Sequence, residues 1–250
     1  MNVHLFDAHL HIIDPRFPIE PNQGYTPPVF RVQDYVSQAK DLSIKGGAVV
    51  SGSFQGYDQT YLTDALARLG PGFVGVTQLP PETTEKEVLY LNEKGVRGIR
   101  FNLKRGGEAQ ISHIKRLAES VYHWAGWHTE LYMDAAMLKE LRPVIKTLPA
   151  VSIDHLGLTN TGFETLLSFA AEGGRVKATG FGRVNFDVKQ ALQLLYRENP
   201  EALLFGTDLP STRAPRSFRG SDIAIIKDAL GEKESRQVLY KNAKRWYRIE

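Results

Sequence analysis

Cysteine is absent from the 250-residue chain. Disulfides, thiolate nucleophiles and zinc–thiolate centres are therefore excluded, and the absence fits a reducing compartment. Long apolar runs are missing too. No stretch approaches the roughly 20 residues that a membrane-spanning helix requires. The opening MNVHLFDAHLHIIDP has no basic n-region, and Asp and His break its apolar character, so it does not read as a signal peptide. Charge of one sign is scarce: 31 Lys+Arg against 28 Asp+Glu leave a net charge of +3, and no basic run is dense enough for a nucleic-acid stripe. Low-complexity segments, internal repeats and linkers are also lacking. The expectation is a cytoplasmic, soluble protein with neither nucleic acid nor membrane as partner; homo-oligomerisation is left open.

Short apolar, β-branched segments alternate with longer amphipathic ones. The predicted strands are Val3–His9, Gly47–Ser51, Gly72–Thr77, Val96–Phe101, His128–Met133, Val151–Asp154, Arg175–Ala178 and Leu203–Gly206. Helical spacing follows each, beginning with Val32, Tyr35, Val36, Ala39 and Leu42 over 32–43. Asp58 and Thr83 or Thr84 suit helix starts, and Gly46, Gly70, Gly95 and Gly126 suit helix stops. Eight strand–helix units predict an α/β protein, a (β/α)8 TIM barrel in a single domain over residues 1–250. Pattern alone does not exclude an open doubly wound sheet, but no Gly-x-Gly-x-x-Gly follows the first strand. The longest irregular piece, 14–28, holds five prolines and follows the first strand, where barrel enzymes carry working loops.

Three segments carry chemistry. In Asp7-Ala-His9-Leu-His11, strand alternation would set Asp7, His9 and His11 on one face and Phe6, Ala8 and Leu10 on the other, against helices. Two imidazoles at this spacing bind one divalent metal or polarise one oxygen. The plainer alternative is a surface pair just past a strand. His155 falls at the end of the sixth strand, and Asp208 in the Gly206-Thr-Asp turn after the eighth. A closed barrel puts strand eight beside strand one, so Asp208 would sit near His9 and His11 as metal ligand, general base on water, or both. Alone, that aspartate reads equally as a turn former.

Together these residues resemble the amidohydrolase superfamily, amidohydrolase-2 type. The wording is closest to the 2-pyrone-4,6-dicarboxylate hydrolase group of lactonases. The similar segments are FDAHLHIIDP, VRGIRFNL, GWHTELYMDAAML, VSIDHLGL, VKATGFGRVN and LLFGTDLPS. The resemblance implies a (β/α)8 barrel that hydrolyses a carboxylic ester or lactone bond. It implies a central group of His9, His11, His155 and Asp208, with Asp208 as base on water. That group would hold one divalent cation, zinc or manganese, or work metal-free. Arg100 and Arg183 match positions that hold substrate carboxylates, and Tyr132 a position that contacts substrate. The chain departs from the group at Leu158, where an arginine is usual, and at Leu209 and Ser211, where Trp and His are usual. It also lacks the lysine that many members carboxylate and a fifth-strand metal histidine; His128 opens its strand, at the wrong end. These departures count against a binuclear centre and against the pyrone dicarboxylate as substrate.

Arg100 and Asn102 share one strand face, and a guanidinium suits bidentate carboxylate recognition. The alternative is an arginine paired with a structural Asp134 or Asp154. The glycines around Arg183, Gly180 and Gly182, permit close backbone approach. Lys104-Arg105-Gly-Gly is expected either as a mobile basic loop or as a merely solvated stretch. Ser51, Ser53 and Gln55 follow strand two as candidate substrate contacts. His4, His113 and His123 read as structural or solvent-facing, and Trp124, Trp127, Trp246 and Tyr247 as packing residues. The expectation is an ester-bond hydrolase acting on a small carboxylated lactone. Its rivals are a metal-dependent decarboxylase on the same scaffold and a carboxylate-binding barrel without chemistry.

Overall fold

The computed structural model describes residues 3–106 and 108–249. Eight parallel strands, β1 (Leu5–Leu10), β2 (Ile44–Val50), β3 (Phe73–Thr77), β4 (Val96–Asn102), β5 (His128–Tyr132), β6 (Val151–Ile153), β7 (Arg175–Ala178) and β8 (Leu203–Phe205), pair in chain order. Beyond β8 the backbone closes the ring: Asp208 N–H donates to His9 O at 2.7 Å, and His11 N–H to Leu209 O at 2.8 Å. The architecture is a (β/α)8 barrel. Helices α1 (Val32–Gln38), α2 (Thr60–Leu69), α3 (Glu85–Glu93), α4 (Leu103–Gly106), α5 (Glu108–Ala125), α6 (Leu138–Ile145), α7 (Phe163–Ala171) and α8 (Val188–Glu198) lie between strands, and α9 (Gly220–Leu230), α10 (Glu232–Arg236) and α11 (Asn242–Trp246) follow β8.

The helices form where their apolar stripes meet the outer face of the sheet. Leu62, Ala65 and Leu66 of α2, Val88 and Leu91 of α3, and Leu192 and Leu195 of α8 join one continuous core with Val49, Ile99, Leu131, Ile153 and Val176. Thr84 starts α3 in a reciprocal cap, its Oγ1 accepting from Glu87 N while Glu87 Oε2 accepts from Thr84 N at 2.7 Å. Such a cap contributes about 1 kcal/mol.

Three expectations need local correction. Helix α1 stops at Gln38 rather than running to Ser43, because Ser43 O already accepts from Leu5 N and begins the sheet edge. Gly46 stops no helix; it lies inside β2, where a Cβ would meet Gly72 O at 2.3 Å. The stretch after β4 is not a loop: Leu103–Gly106 is the short helix α4, and Gly107 lies outside the described residues. Gly70, Gly95 and Gly126 do end helices in left-handed backbone.

A second, smaller apolar cluster lies inside the ring. Phe6 and Ala8 of β1 meet Ala48, Val50, Val74, Val76, Leu204 and Tyr247. Tyr247 enters it from the end of α11, which follows a π turn, Gln237–Lys241, after α10. Its ring stacks on Phe6 with centres 5.5 Å apart, plugging the end of the barrel where the strands begin. Among the described residues no helix is long and apolar enough to cross a membrane.

Candidate active site

The alternation expected along β1 fails at one point, and the failure builds the site. Register with β2 slips between Asp7 and Leu10, so β1 carries a bulge there. Asp7 faces the helix layer, where Tyr35 Oη of α1 donates to it at 3.0 Å, while Phe6 and Ala8 face the lumen. Past the bulge His9 and His11 turn into the lumen. Asp7 therefore does not share their face; it holds the seam. Thr207 N and Thr207 Oγ1 donate to its carboxylate at 2.7 and 2.6 Å, and His9 N at 3.3 Å. Burial pushes its carboxyl up to about 6 in spite of these bonds. Gly206 allows the close approach of β8: a Cβ there would meet His9 N at 2.7 Å.

Four of the predicted residues converge. His11 Nε2 lies 3.8 Å from Asp208 Oδ1. The His9 ring is centred 5.0 Å from His11 and 4.8 Å from His155. Asp208 and His155 both adopt left-handed backbone, φ 61 and 51, which costs a non-glycine residue energy and is found at functional sites. Gly180 makes room for His155, since a Cβ there would meet His155 Nδ1 at 2.6 Å. His11 Nδ1 donates to Val50 O at 2.7 Å, leaving Nε2 as an acceptor.

Above them opens a cleft of about 340 Å³, counted to its open mouth, lined by His11, Gly52, Ser53, Phe54, Arg100, Asn102, Tyr132, His155, Arg183 and Thr212. Of the residues expected to touch substrate, Ser53, Asn102 and Tyr132 with both arginines line it, while Ser51 turns aside to Tyr61 Oη at 2.6 Å. The proline-rich loop lends no lining residue; it packs against the Phe54 segment that does, pinned by the Ile13–Phe30 bridge, by Glu20 N donating to Phe54 O, and by Arg213, whose guanidinium sits 4.3 Å over Tyr25. Gln55 does not face substrate; it ties the same loop, Nε2 donating to Ile12 O at 2.7 Å.

The arginines are more committed than a substrate clamp requires. Arg100 Nε and Nη2 donate to Asp154 Oδ2 at 3.1 and 2.8 Å, and Nη1 donates to Ser51 O. The pairing with a structural aspartate is thus realised, with Asp154 rather than Asp134. Arg183 Nε donates to Asp208 Oδ2 at 2.7 Å and Nη2 to Thr212 O at 2.9 Å. Burial raises the Asp208 carboxyl above the usual carboxylate range, against the opposing pull of Arg183. Burial also holds the imidazoles neutral. His11 is lowered to about 3, with Arg100 adding to the effect; His9 and His155 lie well below the ordinary range, helped by Lys177 and Arg183 respectively.

With this geometry the comparison with known proteins is specific. A family model described as Amidohydrolase matches residues 6–249. The chain belongs to the amidohydrolase family. Similar curated members are the 2-pyrone-4,6-dicarboxylate hydrolase of Comamonas testosteroni, 27% identical over 238 residues (82% of this chain, 76% of that one), and the 4-sulfomuconolactone hydrolase of Rhizobium radiobacter, 28% identical over 227 residues (82% and 75%). An apo crystal structure from Agrobacterium tumefaciens shares the fold, with a TM-score of 0.85 at 21% identity over 98% of this chain and 96% of that one.

Sequence reasoning missed a layer of charge beneath this amidohydrolase centre. Lys177 of β7 donates to Glu130 of β5 and lies 3.2 Å from His9 Nδ1; Glu130 Oε1 also accepts from Tyr247 Oη at 2.8 Å and lies 3.0 Å from His128 Nε2. The two Lys177 contacts join non-adjacent strands, β7 with β5 and β7 with β1, so they cross the lumen. Lys177 and His128 outweigh burial and hold Glu130 at about 2. The available signal was a charged residue in an apolar strand, two places before a mouth residue: Glu130 before Tyr132, and Lys177 before Thr179. Of the departures from the lactonase group, Leu209 enters the core and lends its carbonyl to the seam, and Leu158 is buried.

Among the described residues two buried groups offer ligand atoms within 4.8 Å of one another, His9–His11–Asp208 and His9–Asp154–His155. The first fits one divalent cation by donor type, and His9 Nε2 and Asp208 Oδ1 have no hydrogen-bond partner. The second is already occupied electrostatically, because Arg100 and Lys177 flank Asp154 at 2.8 and 3.8 Å.

Proposed function

We propose that this amidohydrolase is a lactonase, hydrolysing the ring ester of a small carboxylated lactone. The observation that carries the reading is Asp208 Oδ1, buried, without a hydrogen-bond partner and 3.8 Å from Nε2 of His11, which lines the cleft. A lactone ring lies between Ser53, Asn102 and Tyr132, its carboxylate taking the guanidinium hydrogens of Arg100 and Arg183 that are not committed to Asp154 and Asp208. The ring carbonyl points to the imidazole cluster. Asp208 in its ionised form, which Arg183 favours against burial, takes a proton from water as the water oxygen bonds to the carbonyl carbon. The tetrahedral oxyanion is stabilised by N–H donors in a water-poor site. Its collapse breaks the ring C–O bond, and the proton on Asp208 passes to the leaving alkoxide. The product is an open hydroxy acid, which ionises and releases one proton. If a divalent cation is present, His9, His11 and Asp208 hold it, and it supplies Lewis-acid polarisation of the carbonyl.

The test is a panel of sugar-acid and aromatic-degradation lactones followed with a pH indicator. Turnover of at least one is expected, and Asp208→Asn should fold normally and lose about 10²-fold or more in kcat. Carbon dioxide release without ring opening would favour the decarboxylase. Turnover by Asp208→Asn at the parent rate would refute the assignment of the base.

A further inference from the structure

We infer that Lys177 is a positioning residue that fixes the tautomer of His9, making the first histidine of the pair a hydrogen-bond donor and opposing metal at that position. Lys177 is fully buried, and its Nζ lies 3.2 Å from His9 Nδ1. An ammonium has three N–H donors and no acceptor. His9 Nδ1 must then present its lone pair, and the ring hydrogen must sit on Nε2. The other tautomer would set an N–H against the ammonium. The acceptor that would compensate it, Asp154 Oδ1, is 3.5 Å from Nδ1, beyond a good N–H···O bond. Lys177 is itself held in place by Glu130 and by the face of Tyr247, 5.9 Å to the ring centre.

His11 is set the opposite way. Its Nδ1 is committed to a backbone carbonyl, which only accepts, so its Nε2 carries the lone pair. The two histidines are therefore complementary: His9 offers an N–H and His11 a lone pair, with the unpartnered Oδ1 of Asp208 beside His11. In the lactonase reading, on which the catalytic part of this inference rests, His9 Nε2–H donates to the lactone carbonyl and to the oxyanion that follows, while His11 and Asp208 face the attacking water. A cation would need the Nε2 lone pair of His9, and thus a flipped tautomer and a broken Lys177–His9 bond.

The experiment is nitrogen NMR of the full chain with ¹⁵N-labelled histidine, metal removed by chelation, the His9 signals being those lost in His9→Asn. The expected result is a protonated Nε2 and a bare Nδ1 on His9 in the unmodified protein. Removing both charges of the buried pair in the double variant K177M/E130Q avoids leaving either one alone, and should let the tautomer mix or reverse. The same variant should bind added zinc at least about 10-fold more tightly. On a lactone that the parent turns over, it should lose roughly 10-fold or more in kcat with little change in KM, the scale of losing part of an oxyanion donor. A protonated Nδ1 on His9 in the parent overturns the inference without any variant. So does an unchanged tautomer in K177M/E130Q, or a kcat that stays at the parent value when the tautomer has changed. Failure of every lactone would instead remove the lactonase reading and leave the tautomer result standing.

Discussion

Replacing Asp7 with alanine should damage both stability and activity, although Asp7 touches no substrate. Its carboxylate accepts from Thr207 N, Thr207 Oγ1, Tyr35 Oη and His9 N. In Asp7→Ala the two hydroxyls can rotate, but the amides of Thr207 and His9 are fixed in the seam and fully buried. An unsatisfied buried donor costs about 1–3 kcal/mol, so two cost about 2–6 kcal/mol. That is a large share of the roughly 5–15 kcal/mol that holds a folded protein. Urea unfolding followed by tryptophan fluorescence reads the loss, Trp127 being fully buried. His9 owns one of the amides and Thr207 directly precedes Asp208, so kcat should fall with stability. Tyr35→Phe removes one rotatable donor and should cost only about 0.5–1.5 kcal/mol, leaving kcat near the parent value. A loss below about 1 kcal/mol in Asp7→Ala at unchanged m, with full kcat, would refute the view that Asp7 sets the seam.

Glu130→Gln tests the buried charge layer. With its carboxyl at about 2 rather than the ordinary 4.5, Glu130 contributes stability that is present above pH 4.5 and lost as pH falls through 2. The stability gap between parent and variant should therefore narrow between pH 7 and pH 3 in urea unfolding, and a constant gap would contradict the linkage. Arg183→Gln removes the group that opposes burial at Asp208, so the base stays protonated to higher pH. The acid limb of kcat/KM should move up, and an unmoved limb would show that Asp208 is not the titrating base. Gly206→Ala places a Cβ 2.7 Å from His9 N and forces the seam apart. A loss of roughly 1–3 kcal/mol is expected by calorimetry, with reduced turnover; parent-like values would show that β8 can retreat at no cost.

How much of this could be read beforehand differs between levels. The strands were legible to within about three residues because each is an apolar run bounded by turn chemistry, and periodicity is a local property. Pairing in chain order follows from parallel crossover connections. His9, His11, His155 and Asp208 were legible because each sits at or just past the C-terminal end of a strand, where a barrel collects side chains. The β1 bulge was not, since a register slip is decided by the partner strand; it sent Asp7 outward and Phe6 inward against simple alternation. The pairing of Arg100 with Asp154 was one of two readings, and only the barrel's curvature chose it. Lys177 and Glu130 were passed over because a single charge in an apolar strand has no visible partner in one dimension.

From sequence alone, then, came the element order, the alternating strand–helix pattern and the four residues at strand ends, because these depend on local periodicity and on where strands end; closure of the ring is shown by the backbone bonds between β1 and the segment after β8. Tertiary structure decided which face each side chain took at the bulge, which cation neutralised which carboxylate, and the placement of Lys177 against His9. Those outcomes depend on distances across the lumen between strands that are far apart in the chain, and no local pattern encodes them.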